Sequence, residues 1–399
     1  MRREAYDCVV VGRGLIGIAA AKYLKQSFDR VAVIGPGAPD ETNIATAKVF
    51  ASHYDQSRVQ RIIGVDPIWT ALNKQSAEAY PAIENESGIS FHGNEGCLYV
   101  SPYGTDKYLQ EAEAQSKRFN IKYKSLENAA AIQESADEYL FPPTSVGLLE
   151  ASPSGHINPF KLLEAQEHVF VKNGGTSINE TVIGIKREPD GYNVQTDAGT
   201  TFNANRVLVS AGAFSNFNTL ILRPLQLELE SETVLLAQVS EEEASRLQHL
   251  PSLLYEIDEP EIEGIYLVRP LPYPDGNYYL KMGSNLPSDI RFHSLEAIQE
   301  WFRTGNSEAN IGVLKKFLHQ IIPNLKVLGY NTKRCIVSRT IHRKAYIGSV
   351  DGNNLFVACG GNGYSAMCSD ALGRLATSVV TTGTVPPPFE LHSFEPIFE

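Results

Sequence analysis

Apolar and polar positions change rhythm several times along this chain, and each rhythm predicts an element. Asp7-Cys8-Val9-Val10-Val11 is an unbroken apolar run of the kind a fully buried strand carries. Gly12-Arg13-Gly14-Leu15-Ile16-Gly17 follows at once, then helical spacing over residues 18–26 and a second buried strand, Val31-Ala32-Val33-Ile34. Residues 159–172 return to helical spacing, and Gly174-Gly175 ends it. Residues 177–186, 192–195 and 200–202 read as short strands, and 206–213 as an apolar strand running into a small-residue turn. From 225 to 330 the pattern alternates. Strands are predicted at 233–238, 265–269 and 278–282, with helices at 294–302 and 311–322 and prolines at 270, 272, 274 and 287. That is the signature of an antiparallel sheet with covering helices. Residues 355–358, a glycine loop and a helix over 366–380 restore the opening style.

The strand, glycine turn, helix and strand at the start form the unit that binds a dinucleotide pyrophosphate. Gly12 permits the tight turn, Gly14 lets backbone approach phosphate, and Gly17 lets the helix pack on the strand. The helix N-terminus then offers free N–H groups and a positive dipole end to an anion. A purely structural glycine turn is the plainer alternative. The second strand ends at Gly35-Pro36-Gly37, where this unit ordinarily carries an acid for the ribose; Asp40 and Glu41 are the acids within reach. That substitution weakens an NAD reading more than a flavin reading.

Composition narrows the class. The chain has 399 residues, 43% hydrophobic and 20% charged, as an ordinary soluble globular protein has. A formal net charge of −11 argues against a nucleic-acid surface. No apolar run reaches membrane length. Arg2-Arg3 and the apolar run after it have the look of a signal peptide, but Arg13 and the glycines interrupt the run, so the segment is expected to be retained and the protein cytoplasmic. Cys8, Cys97, Cys335, Cys359 and Cys368 are odd in number and lack metal spacing, which predicts neither a disulfide framework nor a metal site.

Three glycine or small-residue turns together, at Gly12 to Gly17, at Val207 to Ala213 and at Gly360 to Gly373, resemble the D-amino-acid-oxidase-like family of FAD enzymes across nearly the whole chain. Within it the likeness is greatest to the monomeric sarcosine oxidase group. The resemblance implies an α/β fold: a Rossmann-like FAD-binding domain (1–97, 147–226 and 328–399) with an inserted α+β substrate domain on an antiparallel sheet (98–146 and 227–327). It implies cofactor contacts from Gly12, Gly14, Leu15, Ile16, Gly17, Ser52, Ser57, Arg58, Val182, Ala211, Gly212, Gly361, Gly363, Tyr364 and Ser365. The stretch from Ser52 to Arg61 matches a family segment whose first arginine, here Arg58, lies near the flavin and whose second, Arg61, meets the substrate carboxylate. Arginine suits both tasks through its fixed charge and planar donors; on spacing alone the pair reads as one solvated helix face.

Lys281, in Tyr279-Leu280-Lys281-Met282-Gly283, matches the lysine that promotes reaction of reduced flavin with oxygen. Alternation turns it away from Leu280 and Met282, toward a cavity or toward solvent. Cys335 matches the cysteine bonded to the flavin 8α-methyl carbon, and Lys333, Arg334, Arg339 and His342 are the cations expected to lower its thiol pKa. A small buried hydrophobe is the other fate of such a cysteine. Tyr266, Arg269, Tyr279 and Asn362 are candidate substrate contacts, and the C-terminal helix is expected to aim its N-terminus at the flavin.

Two departures bear on substrate. Ser365 stands where the group has a carboxylate-binding lysine, and Asn285 where it has an active-site histidine. The resemblance therefore implies an FAD-dependent oxidase of a secondary amine larger than sarcosine, a cyclic imino acid or a modified amino acid, giving an imine and, with O2, hydrogen peroxide. A dehydrogenase with a quinone or protein acceptor, a flavin-binding protein without turnover, and an NAD enzyme are the rivals. Oligomeric state has no signature in the sequence.

Overall fold

The computed structural model describes residues 5–40 and 42–399; Arg2, Arg3 and Glu41 lie outside the described residues. A six-stranded sheet carries the two ends of the chain. Its order is Tyr346–Ser349, Leu355–Cys359, Val207–Val209, Cys8–Val11, Val31–Ile34, Thr176–Ile178. All neighbours run parallel except the first pair. The unbroken apolar runs follow from burial on both faces. Val10, Val33 and Leu208 pack against helices Leu15–Leu24 and Ser365–Thr382. Val9, Val11, Ala32 and Ile34 pack against a three-stranded meander, Val182–Glu188, Gly191–Thr196 and Thr201–Ala204. The strand predicted over 177–186 is thus two strands in two sheets, separated at the polar residues Asn179, Glu180 and Thr181.

The larger sheet has nine strands and is antiparallel except where Ser252–Glu259 runs parallel to Cys97–Ser101. Leu227–Val239 lies near one edge, pairing with Tyr278–Asn285 and with Gly329–Thr340. Hydrogen bonding thereby assigns residues 329–340, Cys335 included, to this sheet, although the expected division at 327/328 groups them with the chain termini. Leu235, Ala237, Leu267, Leu280 and Met282 share one face with helix Ile311–Ile321. Val234, Leu236, Tyr279 and Cys335 point the other way. Among the described residues no helix is long and apolar enough to cross a membrane.

The helices Leu15–Leu24 and Ser365–Thr382 nearly touch at Gly373, where a Cβ would stand 2.4 Å from Ala19 Cβ and 2.5 Å from Ala20 N. Gly373→Ala is therefore expected to cost about 1–3 kcal/mol. Gly312→Ala, in helix Ile311–Ile321 with nothing within 4 Å of the added carbon, is expected to gain up to about 0.5–1 kcal/mol. Thermal midpoints of the two variants moving in opposite directions check both; a neutral Gly373→Ala would contradict the close approach.

Candidate active site

The three small-residue turns meet at a cavity of about 490 Å³, within the range of roughly 300–1,000 Å³ seen for small-molecule sites. It runs from Gly12, Gly14, Leu15 and Ile16, past Ala211 and Gly212, to Gly361, Gly363, Tyr364 and Ser365. Each turn sits at the C-terminal end of a parallel strand, where such sheets place ligands. Gly12 has φ +108°, and a Cβ there would stand 2.3 Å from Ser210 O, so glycine alone lets the two turns abut. Gly17 is behind the turn rather than on the cavity: a Cβ would strike Gly12 O at 1.9 Å. Gly35 has a related cause. A side chain there would collide with the Arg13 backbone nitrogen at 2.5 Å, so no acid can end this strand. Asp40 is off the lining, and its Oδ1 accepts from Thr42 N and Oγ1 at 2.8 and 2.6 Å.

The lining has the features an anionic cofactor needs. Helices Leu15–Leu24 and Ser365–Thr382 begin on the cavity with no side-chain cap and no acid in the first turn. The helices beginning at Pro67, Lys107, Pro159 and Leu295 are capped by Asp66, Asp106, Asn158 and Ser294. Helix Ile311–Ile321 is also uncapped but begins off the cavity, whereas the two ends on the cavity leave N–H groups and positive dipole ends for a ligand. His53 Nδ1 and Ser338 Oγ are buried on the lining without a protein partner. An FAD-sized dinucleotide fits this donor set.

Beneath the lining lies a charge cluster built on Asp55, 1% exposed. Its Oδ2 accepts from Arg58 Nη1 at 2.6 Å and lies 2.7 Å from Lys281 Nζ; its Oδ1 accepts from Tyr273 Oη at 2.6 Å and Gln56 N at 2.8 Å. Lys281 Nζ also donates to Ser57 O at 2.5 Å, and Arg58 Nη2 reaches Cys335 Sγ at 3.5 Å. Burial alone would raise the Asp55 carboxyl, but Lys281 and Arg58 outweigh it and hold it well below the carboxylate range. Burial, then the Arg58 charge, lowers Lys281 to about 8 against the pull of Asp55. Burial, then Arg58 and Lys281, keeps His53 neutral.

The cysteine expectation needs correction. Burial pushes the Cys335 thiol up to about 11, and the cations opposing it are Arg58 and Lys281, which come from other strands. Arg334 donates to Gly305 O and Phe302 O, Arg339 pairs with Glu230, His342 meets Glu395 O, and Lys333 is exposed. Arg334 alternates to the opposite face, while Lys333 and Arg339, of the same parity as Cys335, lie further along the strand, in solvent and on Glu230.

Arg58, Arg61, Ser52, Val182, Cys335, Tyr266 and Asn362 line the cavity. Arg58 and Arg61 stand at a short strand, Arg58–Gln60, rather than on a solvated helix, and Arg61 is 8% exposed. Lys281 and Ser57 are buried but outside the lining. Tyr279 shares the face of Cys335 but lies off the lining, its hydroxyl on Asp275 at 2.7 Å and its ring 4.8 Å from Tyr273. Arg269 sits at an irregularity of its strand, where the register shifts between Val268 and Leu271, and its Nε lies 3.7 Å from Glu95, off the lining. Asn362 spends its amide on Gly360 O at 2.7 Å and Thr340 N at 2.9 Å, holding the loop. Asn285 is exposed and accepts from Arg339 at 3.4 Å. Sequence reasoning missed Glu232, which lines the cavity. A signal existed: Glu232 follows Glu228 and Glu230 in alternation and falls in line with the apolar Val234 and Leu236.

A family model described as FAD dependent oxidoreductase matches residues 7–379. The monomeric sarcosine oxidase of Bacillus sp. (strain NS-129) is 23% identical over 394 residues, covering 95% of this chain and 93% of that protein. NikD, an unusual amino acid oxidase essential for nikkomycin biosynthesis, shares the fold with a TM-score of 0.78 at 18% identity, over 99% of this chain and 98% of that one. L-proline dehydrogenase from P. horikoshii shares it at 0.74 and 18% identity, over 98% and 97%.

Asp55→Asn leaves two buried cations on a neutral amide and is expected to cost about 3–5 kcal/mol at neutral pH. The Asp55 contribution is present above the ordinary carboxylate pKa of 3.8 and is lost as pH falls through the lower folded value. Lys281 has the opposite window: its folded pKa is depressed, so wild-type stability gains as pH rises from about 8 toward 10.5, and Lys281→Met lacks that gain. Urea unfolding across pH tests both; parallel curves for wild type and Lys281→Met would contradict the burial of the ammonium.

Proposed function

The chain belongs to the FAD-dependent oxidoreductase family, and on that premise we propose that it is an oxidase of amines, converting a C–N bond to an imine and O2 to hydrogen peroxide. One observation carries the reading: a single cavity joins the uncapped helix ends and the Gly12–Gly14 turn to Arg58, Arg61 and Tyr266. The proposal takes the sheet at the chain ends as a Rossmann-like cofactor domain and the nine-stranded sheet as the floor of the substrate space. The turn at Gly12 and the helix starting at Leu15 would hold the pyrophosphate.

FAD, when bound, supplies a two-electron acceptor for the hydride leaving the carbon next to nitrogen. Arg61 orients a substrate carboxylate. Its Nη1 is anchored on Ile63 O, and its guanidinium lies 5.8 Å from the Tyr99 ring and 5.5 Å from the Tyr364 ring, so little side-chain entropy remains to be lost. The uncapped end of Ser365–Thr382 offsets negative charge arriving at the cavity. Arg58 and Lys281 set further positive charge beside the place where O2 gains electrons; Lys281 acts from behind, its Nζ 5.4 Å from the Tyr266 ring. Arg58, 3.5 Å from Cys335 Sγ, favours the thiolate that attachment to the flavin 8α carbon requires. Ser365, in place of a lysine, leaves the carboxylate grip to Arg61 and favours a substrate larger than sarcosine. Five unpaired, buried cysteines accord with a cytoplasmic setting.

A second reading keeps the amine chemistry and passes electrons to a quinone or protein. The withdrawal of Lys281 from the lining onto Asp55 and Ser57 favours it.

Turnover of N-alkyl amino acids and cyclic imino acids, followed by peroxide release, tests the proposal: one peroxide per amine consumed is expected, with sarcosine a poor substrate. Amine consumption without peroxide would select the second reading. Reoxidation of the reduced protein by O2 is expected to slow as pH rises through about 8, where Lys281 loses its charge, and to be slow and flat in Lys281→Met. Acid precipitation is expected to leave a yellow pellet for wild type and a colourless one for Cys335→Ser. A colourless wild-type pellet over yellow supernatant would remove the covalent bond from the account.

A further inference from the structure

Glu232, on strand Leu227–Val239, faces the cavity and stands across the ladder from Cys335. It is held by an arrangement spread over three adjacent strands. Tyr266 pairs with Gly283, and Gly283 pairs with Val234. The Tyr266 ring lies over Gly283: a Cβ on Gly283 would stand 2.2 Å from the ring's Cζ and from its hydroxyl. Neighbouring strands are about 4.8 Å apart, so the recumbent ring crosses the Gly283 strand and its hydroxyl donates to the Glu232 carboxylate. Burial, and then the Glu232 charge, push the Tyr266 pKa far up, which keeps the phenol a donor.

A carboxylate facing a cavity is costly without a cation or several donors. Among the described residues Glu232 has no ion pair. Arg58, on which Glu232 acts together with Cys335, Asp55 and Tyr266, is engaged by Asp55 at 2.6 Å and Ser57 O at 2.8 Å. Glu230 is taken by Arg339 at 3.0 Å. Nearby Asp289 is pushed up to about 7 by burial and then by Glu232 and Glu230, so the region is locally negative. Arg61 lies at the other end of the same floor. Leu254 pairs with Tyr266 on one side and with Tyr99, the ring near Arg61, on the other. The floor therefore has an anion reader at one end, a cation reader at the other, and an aromatic face between.

We infer that the substrate carries a second, positively charged group besides the carboxylate met by Arg61, an ammonium or guanidinium that Glu232 receives, so that the substrate class is a basic amino-acid derivative. This rests on the amine-oxidase reading. Guanidinium and acetate, neither of which is oxidised, probe the two ends separately. Calorimetric titration of purified flavin-loaded protein with each ion is expected to show that Glu232→Gln weakens guanidinium at least tenfold and leaves acetate within twofold, while Arg61→Gln does the reverse. Tyr266→Phe, which keeps the ring over Gly283 and loses the hydroxyl, is expected to weaken guanidinium several-fold and carries the test if Glu232→Gln fails to fold. No guanidinium binding by wild type, an unchanged guanidinium affinity in the variants, or equal weakening of both ions would overturn the inference. Failure of the amine-oxidase reading is distinct: no amine of any charge would then bleach the flavin, whatever the titrations give.

Discussion

Everything near the cavity depends on one buried carboxylate. Asp55 lies between Lys281 of the nine-stranded sheet and Arg58 of the segment that lines the cavity, with Tyr273 and Gln56 completing its oxygens. Two cations so close, out of water, repel each other and lose hydration; a carboxylate between them is what makes the arrangement tolerable. The result is one cation in excess of Asp55, held beneath the cavity without help from surface residues and set against the acid Glu232 on the lining. Burial first, and then these cations, keep His53 neutral, while at Cys335 the cations oppose a larger effect of burial.

The architecture serves that placement. The parallel sheet brings three turns distant in sequence to one edge, because each follows a strand buried on both faces. The larger sheet is covered by helix Ile311–Ile321 on one side and gives the cavity its floor on the other, so simple alternation decides which side chains meet a ligand. Tyr266 and Glu232 are on the floor, while Leu267 and Leu280 are not, and the difference is the parity of their positions.

Parity also explains what was legible in the sequence. The runs at Cys8–Val11 and Val31–Ile34, the helix Pro159–Lys172 and the glycine loop before the last helix are strong local patterns, and the structure has them. Arg58 and Arg61 were found through resemblance, since their spacing alone suggested a helix face. Arg269 and the cations around Cys335 are elsewhere because nearness along a strand does not translate into nearness in space, and Tyr279, on the right face, is held off the lining on Asp275. Asp55 and Glu232 were hidden for another reason. Asp55 sits in the polar loop before Arg58 and Glu232 in a run of alternating acids, so each looks solvent-facing until the residues that reach it across the fold, Lys281 and Tyr266, are placed. Gly35, an apparent defect in the nucleotide unit, proved to be a steric requirement imposed by Arg13.

The central claim is that this cavity brings an amine and a flavin together. The most direct measurement is the visible spectrum of the purified protein during anaerobic titration with a panel of amines and imino acids. The account predicts a flavin absorbance that bleaches stoichiometrically with at least one secondary or cyclic amine bearing a carboxylate. A flavin spectrum that no amine bleaches would contradict it.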